Sequence, residues 1–164
     1  MNVKPQSART WAKVADYHYQ NMQLITSIES LNKGFELAPW EAGFLLAKLS
    51  LACNNPTLLK KKEIIPLIEN TIQAINLKPN TAYTNSQLIN LTRLCNKKNQ
   101  TLQFEPIYVA ASQQPNAKMA SRGYYMLAMT HLHKGEKSNA KGLLKKVLKL
   151  DPNSQQVKEM LLQL

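Results

Sequence analysis

The side chains best suited to chemistry are few in this chain: three histidines (His18, His131, His133), two cysteines (Cys53, Cys95) and ten Asp and Glu. His131 and His133 stand two apart on a helical stretch, so they point to different faces and do not form a chelating pair. His18 and His131 recur at matching places in two similar segments and are read as core side chains. The two cysteines form neither a CxxC pair nor a disulfide framework, and read as small, reduced, apolar groups. No glycine-rich phosphate loop, HExxH, GxSxG or paired-carboxylate motif occurs, and five glycines leave little room for one. Glu36, Glu41, Glu63 and Glu69 fall near helix ends or on polar faces, where salt bridges or the helix dipole account for them. With no nucleophile, base or metal cluster to nominate, the expectation is a protein without catalytic residues, metal site or cofactor, and not an enzyme.

Charge is the loudest feature of the composition. Lys and Arg number 21 against 10 Asp and Glu, for a net charge of +11 and a pI near 9.7, which raises a polyanion as partner. Only Arg9, Arg93 and Arg122 are arginines, the residue that grips phosphates with two parallel hydrogen bonds. The lysines cluster at Lys60-Lys61-Lys62 and at Lys134, Lys137, Lys141, Lys145, Lys146 and Lys149. The first four of that second group follow three- and four-residue steps and make one cationic outer stripe. Binding of nucleic acid or an anionic membrane through this stripe is the alternative functional reading. A solvated face is the simpler one, since no aromatic side chains alternate with the lysines to stack on bases.

No stretch approaches the ~18 apolar residues of a membrane span, and the first twenty residues carry Lys4, Arg9, Lys13 and Asp16 in place of a signal peptide's apolar centre. The chain as given reads as soluble. Met1 is equally compatible with a start codon placed on an excised domain, so a cytoplasmic protein and a periplasmic domain shorn of its signal or anchor both stay open.

The elements that position these groups emerge from their stops. Pro39, Pro79, Pro115 and Pro152 each follow an apparent helix end and fall 40, 36 and 37 residues apart, a spacing that signals stacked helical pairs. Upstream of each runs a stripe at offsets of three, four and seven: Trp11, Val14, Ala15, His18; Leu46, Leu49, Ser50, Cys53; Leu88, Leu91, Thr92, Cys95; and Tyr124, Leu127, Ala128, His131. Such offsets share one helical face and mark the buried side of a first helix. Second helices are marked by Ser27, Leu31, Gly34; Leu67, Thr71, Ala74; Gln103, Ile107, Ala110; and Ala140, Leu144, Val147, with a mostly small third slot that lets helices approach closely. Gln103 fits least well, and Phe104 is the alternative occupant of its slot.

Between stripe and proline the second segment is about five residues longer than the others, the surplus falling around Asn54 to Lys62, where the sequence suggests a short extra turn of helix. Pro66 and Pro106 are expected in the first turns of their helices, because a mid-helix proline costs ~3 kcal/mol. Val157, Met160, Leu161 and Leu164 then space out a last helix that caps the stack.

Residues 121–154 resemble a tetratricopeptide repeat almost throughout: Tyr124, Leu127, Ala128, Gly135, Ala140, Val147, Leu148, Leu150, Asp151, Pro152 and Asn153, over the family's 34 residues. Ala8 to Glu41 is similar in spacing, with Ser27 where alanine is usual and no glycine in its Asn21-Met22 turn; the middle segments match only in stripe and stop. The expected fold is therefore all-α, an α-α superhelix (solenoid) of about four such hairpins (8–41, 43–80, 85–117, 121–154) in a single domain, capped by 154–164.

What the resemblance implies for function is a non-catalytic scaffold that binds a partner peptide or protein in a concave groove lined by the first helices. The groove places it assigns include Arg9, Tyr19, Phe44, Leu51, Ile89, Arg93, Asn96, Arg122, Tyr125, Met129 and His133, with Asp16 among their neighbours. An apolar centre rimmed by arginine suits an acidic partner with hydrophobic anchors. The lysine- and asparagine-rich composition of small, degenerate repeats points to a bacterial protein of cell-envelope assembly or secretion, and homodimerisation through outer apolar residues is open.

Overall fold

A computed structural model describes residues 7–79, 81–97 and 104–164. The described residues form nine helices and no strand: α1 (Ala8–Gln20), α2 (Leu24–Leu37), α3 (Gly43–Asn54), α4 (Lys61–Leu77), α5 (Ala82–Lys97), α6 (Glu105–Ser112), α7 (Ala117–His133), α8 (Lys137–Leu150) and α9 (Gln155–Gln163). The chain is all-α and built of helical repeats. It divides into two compact units, one ending at Leu91 and the other beginning at Thr92, inside α5.

Helix starts are set by local chemistry. Ser7 Oγ accepts from the Thr10 amide and Asn116 Oδ1 from the Met119 amide, each satisfying a donor that the first helical turn leaves open. Thr81 Oγ1 does the same for the Thr84 amide at 3.0 Å. Helix ends follow the proline stops: α2, α4 and α8 finish at Leu37, Leu77 and Leu150, two residues before Pro39, Pro79 and Pro152.

In the first unit α1 packs on α2, α2 on α3 and α3 on α4. Its core joins Ala12 and Ala15 of α1, Leu31 of α2, Ala38, and Phe44 and Leu51 of α3. Ser27, at the position where α1 and α2 cross, donates from Oγ to the Ala15 carbonyl at 2.9 Å. Gly34 is small for a specific reason: the Phe44 ring lies where its side chain would be.

The longer segment departs from its expected layout. No helix forms between Asn55 and Lys60, and the lysine triplet starts α4 instead of lying in an inserted loop. The Lys60 amide donates to Glu63 Oε2 at 2.7 Å, which fixes that start. Pro66 is consequently in the second turn of α4, not the first; it stays on the exposed side, where the carbonyl it leaves without a donor is open to water. Pro106 does sit in the first turn of α6.

In the second unit α6 packs on α7, α7 on α8 and α8 on α9. Gly123 brings α7 against the end of α6, since a β-carbon there would stand 2.2 Å from the Ser112 amide nitrogen. Phe104, at the start of α6, is buried, while Gln103 lies outside the described residues. Val157 of α9 joins Ala128, Ala140, Leu144 and Val147 in one core, with Met160, Leu161 and Leu164 packed against it.

The hairpins α1–α2 and α7–α8 are built alike, and their sequences align without a gap from Trp11/Tyr124 onward. Gln23 N–H donates to the His18 carbonyl, as Glu136 N–H does to that of His131, both at 2.9 Å. His18 Nδ1 lies 2.6 Å from Gln23 Oε1, and His131 Nδ1 lies 2.5 Å from Glu136 Oε2. Lys33 caps the Trp11 ring at 4.9 Å and Lys146 the Tyr124 ring at 5.1 Å. The two histidines are thus half-buried turn fasteners rather than core side chains, because Nδ1 of each ring has a polar partner five residues on.

Candidate partner-binding faces

α7 shows how a first helix divides its surface. Tyr124, Leu127, Ala128 and His131 follow the stripe expected to meet the hairpin partner, and Ala128 shares a core with α8. Gly123 meets α6. Arg122, Tyr125 and Met129, at offsets of three and seven, occupy a third face and are half-buried, with exposed His133 one turn further on.

Polar partners hold this third face in place. Tyr125 Oη is 2.9 Å from Gln156 Nε2, which ties α7 to α9, and His133 Nδ1–H donates to the Met129 carbonyl at 2.8 Å. Burial holds the Arg122 guanidinium below its ordinary pKa and pushes the Tyr125 phenol up, the direction that desolvation of the charged form dictates. Thr92 Oγ1 lies 2.7 Å from Met126 Sδ, which brings α5 to α7 at that point, and Arg93, the next residue, is exposed. Asn96 belongs to α5, but its side chain lies outside the described residues.

The first unit distributes its expected contact residues differently. Arg9 and Tyr19 of α1 and Ile89 of α5 are exposed. Phe44 and Leu51, expected in a groove, are buried at 1% and 6% exposure. Phe44 packs on Gly34 and edge-on against Tyr83, with ring centroids 5.1 Å apart, and Leu51 is part of the same core. Neither reaches a partner in this arrangement. Asp16 lies between Ala12 and Tyr19 on α1, and burial raises its pKa.

A polar knot not expected from the sequence joins the start of α3 to the start of α5. Glu41 Oε1 accepts from Thr84 Oγ1 at 2.5 Å, from Thr81 Oγ1 at 2.6 Å and from the Gly43 amide at 3.3 Å. Gly43 N–H also donates to Thr84 Oγ1 at 3.0 Å. Tyr83 sits beside the knot, its ring where a Gly43 side chain would be. Gln156 and Tyr83 lie off the stripes, and no spacing signal marks either.

Among the described residues no three His, Cys, Asp or Glu side chains gather to hold a metal ion, and no helix is long and apolar enough to cross a membrane.

Residues 121–154, the α7–α8 hairpin with its stop, match the family model described as tetratricopeptide repeat. Comparison with curated proteins gives no match. Over these residues the chain is similar to a tetratricopeptide repeat, and the nine helices of the described residues fit a helical-repeat protein of that kind. Repeats of this kind are protein–protein interaction modules, and proteins built from them are generally scaffolds without catalytic activity.

Proposed function

We propose that this protein is a non-catalytic scaffold that holds a partner peptide or protein on the third face of α7, with Arg122, Tyr125, Met129 and His133 as the contact strip and Arg93 beside it. The observation that carries the reading is the division of labour on α7. Two of its faces are spent on packing, while the third keeps an arginine, a tyrosine and a methionine half-buried, the tyrosine ring packed at the edge of the core shared with α8 and α9 and its hydroxyl held by Gln156. Partly desolvated Arg and aromatic groups contribute most per residue to interfaces. The partner that fits is acidic with an apolar anchor: carboxylate for Arg122 and Arg93, aliphatic or aromatic side chain for Tyr125 and Met129. The basic, asparagine-rich composition supports a place in bacterial cell-envelope assembly or secretion.

The test is to pan the full chain against a displayed random-peptide library and to titrate an enriched peptide into the wild type and the Arg93→Ala/Arg122→Ala variant. Enriched peptides should pair carboxylates with apolar anchors, and the variant should bind about tenfold or more weakly, as loss of charged hydrogen bonds worth ~1.5–3 kcal/mol each requires. Its salt dependence should flatten as well. Equal affinity and equal salt dependence in the two proteins would remove the reading.

A further inference from the structure

α8 carries a cationic row that its fold does not need. Lys137, Lys141, Lys145 and Lys149 are all exposed and follow four-residue steps, so the row climbs about 18 Å along the helix. No Asp or Glu occurs within α8. Ion pairs among the described residues are His131–Glu136 and Lys134–Glu105, so none of the four ammonium groups has a carboxylate in reach. Three like-charge i,i+4 pairs oppose helix formation.

The internal repeat separates structural lysines from surplus ones. In the gapless alignment of α2 with α8, Lys33 matches Lys146, and each caps an aromatic ring. The four row positions match Leu24, Ile28, Asn32 and Glu36. The same hairpin is therefore built without a single lysine at those places, and the row answers to something other than packing. A polar coat for solubility would be met as well by glutamine, or better by alternating Glu and Lys, which turns i,i+4 repulsion into attraction.

We propose that this row docks the second unit on the surface of an anionic lipid bilayer. Four ammonium groups on flexible stems, aligned on an exposed helix face, complement a diffuse sheet of negative headgroups and demand no fixed geometry. A nucleic acid fits less well. α8 has no arginine for bidentate phosphate contact and no aromatic side chain for stacking, and its Asn139 is bonded to Glu136.

The experiment is co-sedimentation of the full chain with phosphatidylcholine vesicles, with vesicles of phosphatidylcholine and phosphatidylglycerol, and a parallel titration with random-sequence single-stranded and duplex oligonucleotides. Three proteins are compared: the wild type, a row variant (Lys137→Gln, Lys141→Gln, Lys145→Gln, Lys149→Gln) and a charge-matched control (Lys13→Gln, Lys62→Gln, Lys118→Gln, Lys158→Gln) taken from other exposed positions. Lys and Gln have similar helix propensity, so all three fold. Each lysine near an anionic surface contributes about fivefold to partitioning. The row variant should therefore lose at least about tenfold on the mixed vesicles and the control much less. Wild-type binding should vanish on neutral vesicles and at near-molar salt, where screening length falls to ~3 Å. Equal loss in row variant and control would reduce the effect to net charge and overturn the proposal. So would binding to neutral vesicles, or row-dependent oligonucleotide binding stronger than that to the mixed vesicles.

Discussion

The ring of Phe44 fills the volume that a side chain on Gly34 would need: a β-carbon built there would stand 2.2 Å from Cε1 and 2.5 Å from Cζ of the ring. In the second unit the aligned residues are Val147 and Val157, both buried in one core. One unit meets the contact between second helix and following helix with glycine and a large ring, the other with two medium side chains. Gly34→Ala should therefore destabilise, because overpacking costs ~1–3 kcal/mol against a helix-propensity gain of ~1 kcal/mol. Gly34→Val should cost more, and Phe44→Val introduced with it should restore part of the loss, with a coupling of about 1 kcal/mol or more. Urea midpoints of the three variants check this; a Gly34→Ala variant as stable as the wild type would contradict the tight contact.

Met22 and Gly135 end aligned turns with positive φ, 59° and 77°. Only glycine takes that conformation without strain, which for other residues is ~1–2 kcal/mol. Met22→Gly relieves it but enlarges the entropy of the unfolded chain, by ~0.5–1 kcal/mol. The net expectation is a gain of up to about 1 kcal/mol for Met22→Gly and a loss of similar size for Gly135→Ala, read from thermal midpoints. Opposite signs in the two variants are what the shared turn requires.

These two cases show what spacing could reveal and what it could not. The proline stops and the stripes around Trp11, Leu46, Leu88 and Tyr124 encode helices, because a face that must be buried has to repeat at helical period. They also imply a small residue near Gly34. What fills the space beside it is a tertiary question: Phe44 reads equally well as a groove residue until the ring is placed against α2. Pro66 misled for a related reason. A lone proline argues for a helix start, but Lys60 and Glu63 fix the start five residues earlier and leave the proline on an exposed face. The α7 strip was readable through the resemblance, whereas Gln156, which holds Tyr125, comes from another helix and leaves no periodic trace.

Glu136 ties pH to the last turn of the α7–α8 hairpin. Its carboxyl is held below the usual range, chiefly by the hydrogen bond from His131, then by that from Asn139, with the charges of His131 and Lys134 adding to it. A depressed carboxyl pKa contributes stability that is complete above its unfolded value and is lost as pH falls through the folded one. Wild type should thus lose this contribution below about pH 4.5. Glu136→Gln, which copies Gln23, should be slightly less stable near neutrality and match the wild type in acid. Denaturant midpoints across that range check it, and a constant gap between the two proteins would exclude a role for ionisation.

Tyr83 supplies a case in which removing a polar atom should help. Its ring packs edge-on against Phe44, while its hydroxyl is buried without a hydrogen-bond partner among the described residues. Burial pushes its ionisation well above the usual phenol range, and the charges of Asp16 and Glu41 push the same way. An unmet buried hydroxyl costs roughly 1–3 kcal/mol, so Tyr83→Phe, which keeps the ring and drops the oxygen, should raise stability by about 1 kcal/mol. The alkaline limb gives an independent reading. A tyrosine whose folded pKa is raised contributes stability that is full below its unfolded value near 10 and lost as pH rises through the folded one. The variant should therefore decline less steeply than the wild type above about pH 10. Should Tyr83→Phe prove destabilising near neutrality, the hydroxyl must have a partner in solution, and Asp16, the nearer in influence of the two acids, is the residue to change next: Asp16→Asn in the Tyr83→Phe background would then cost nothing further.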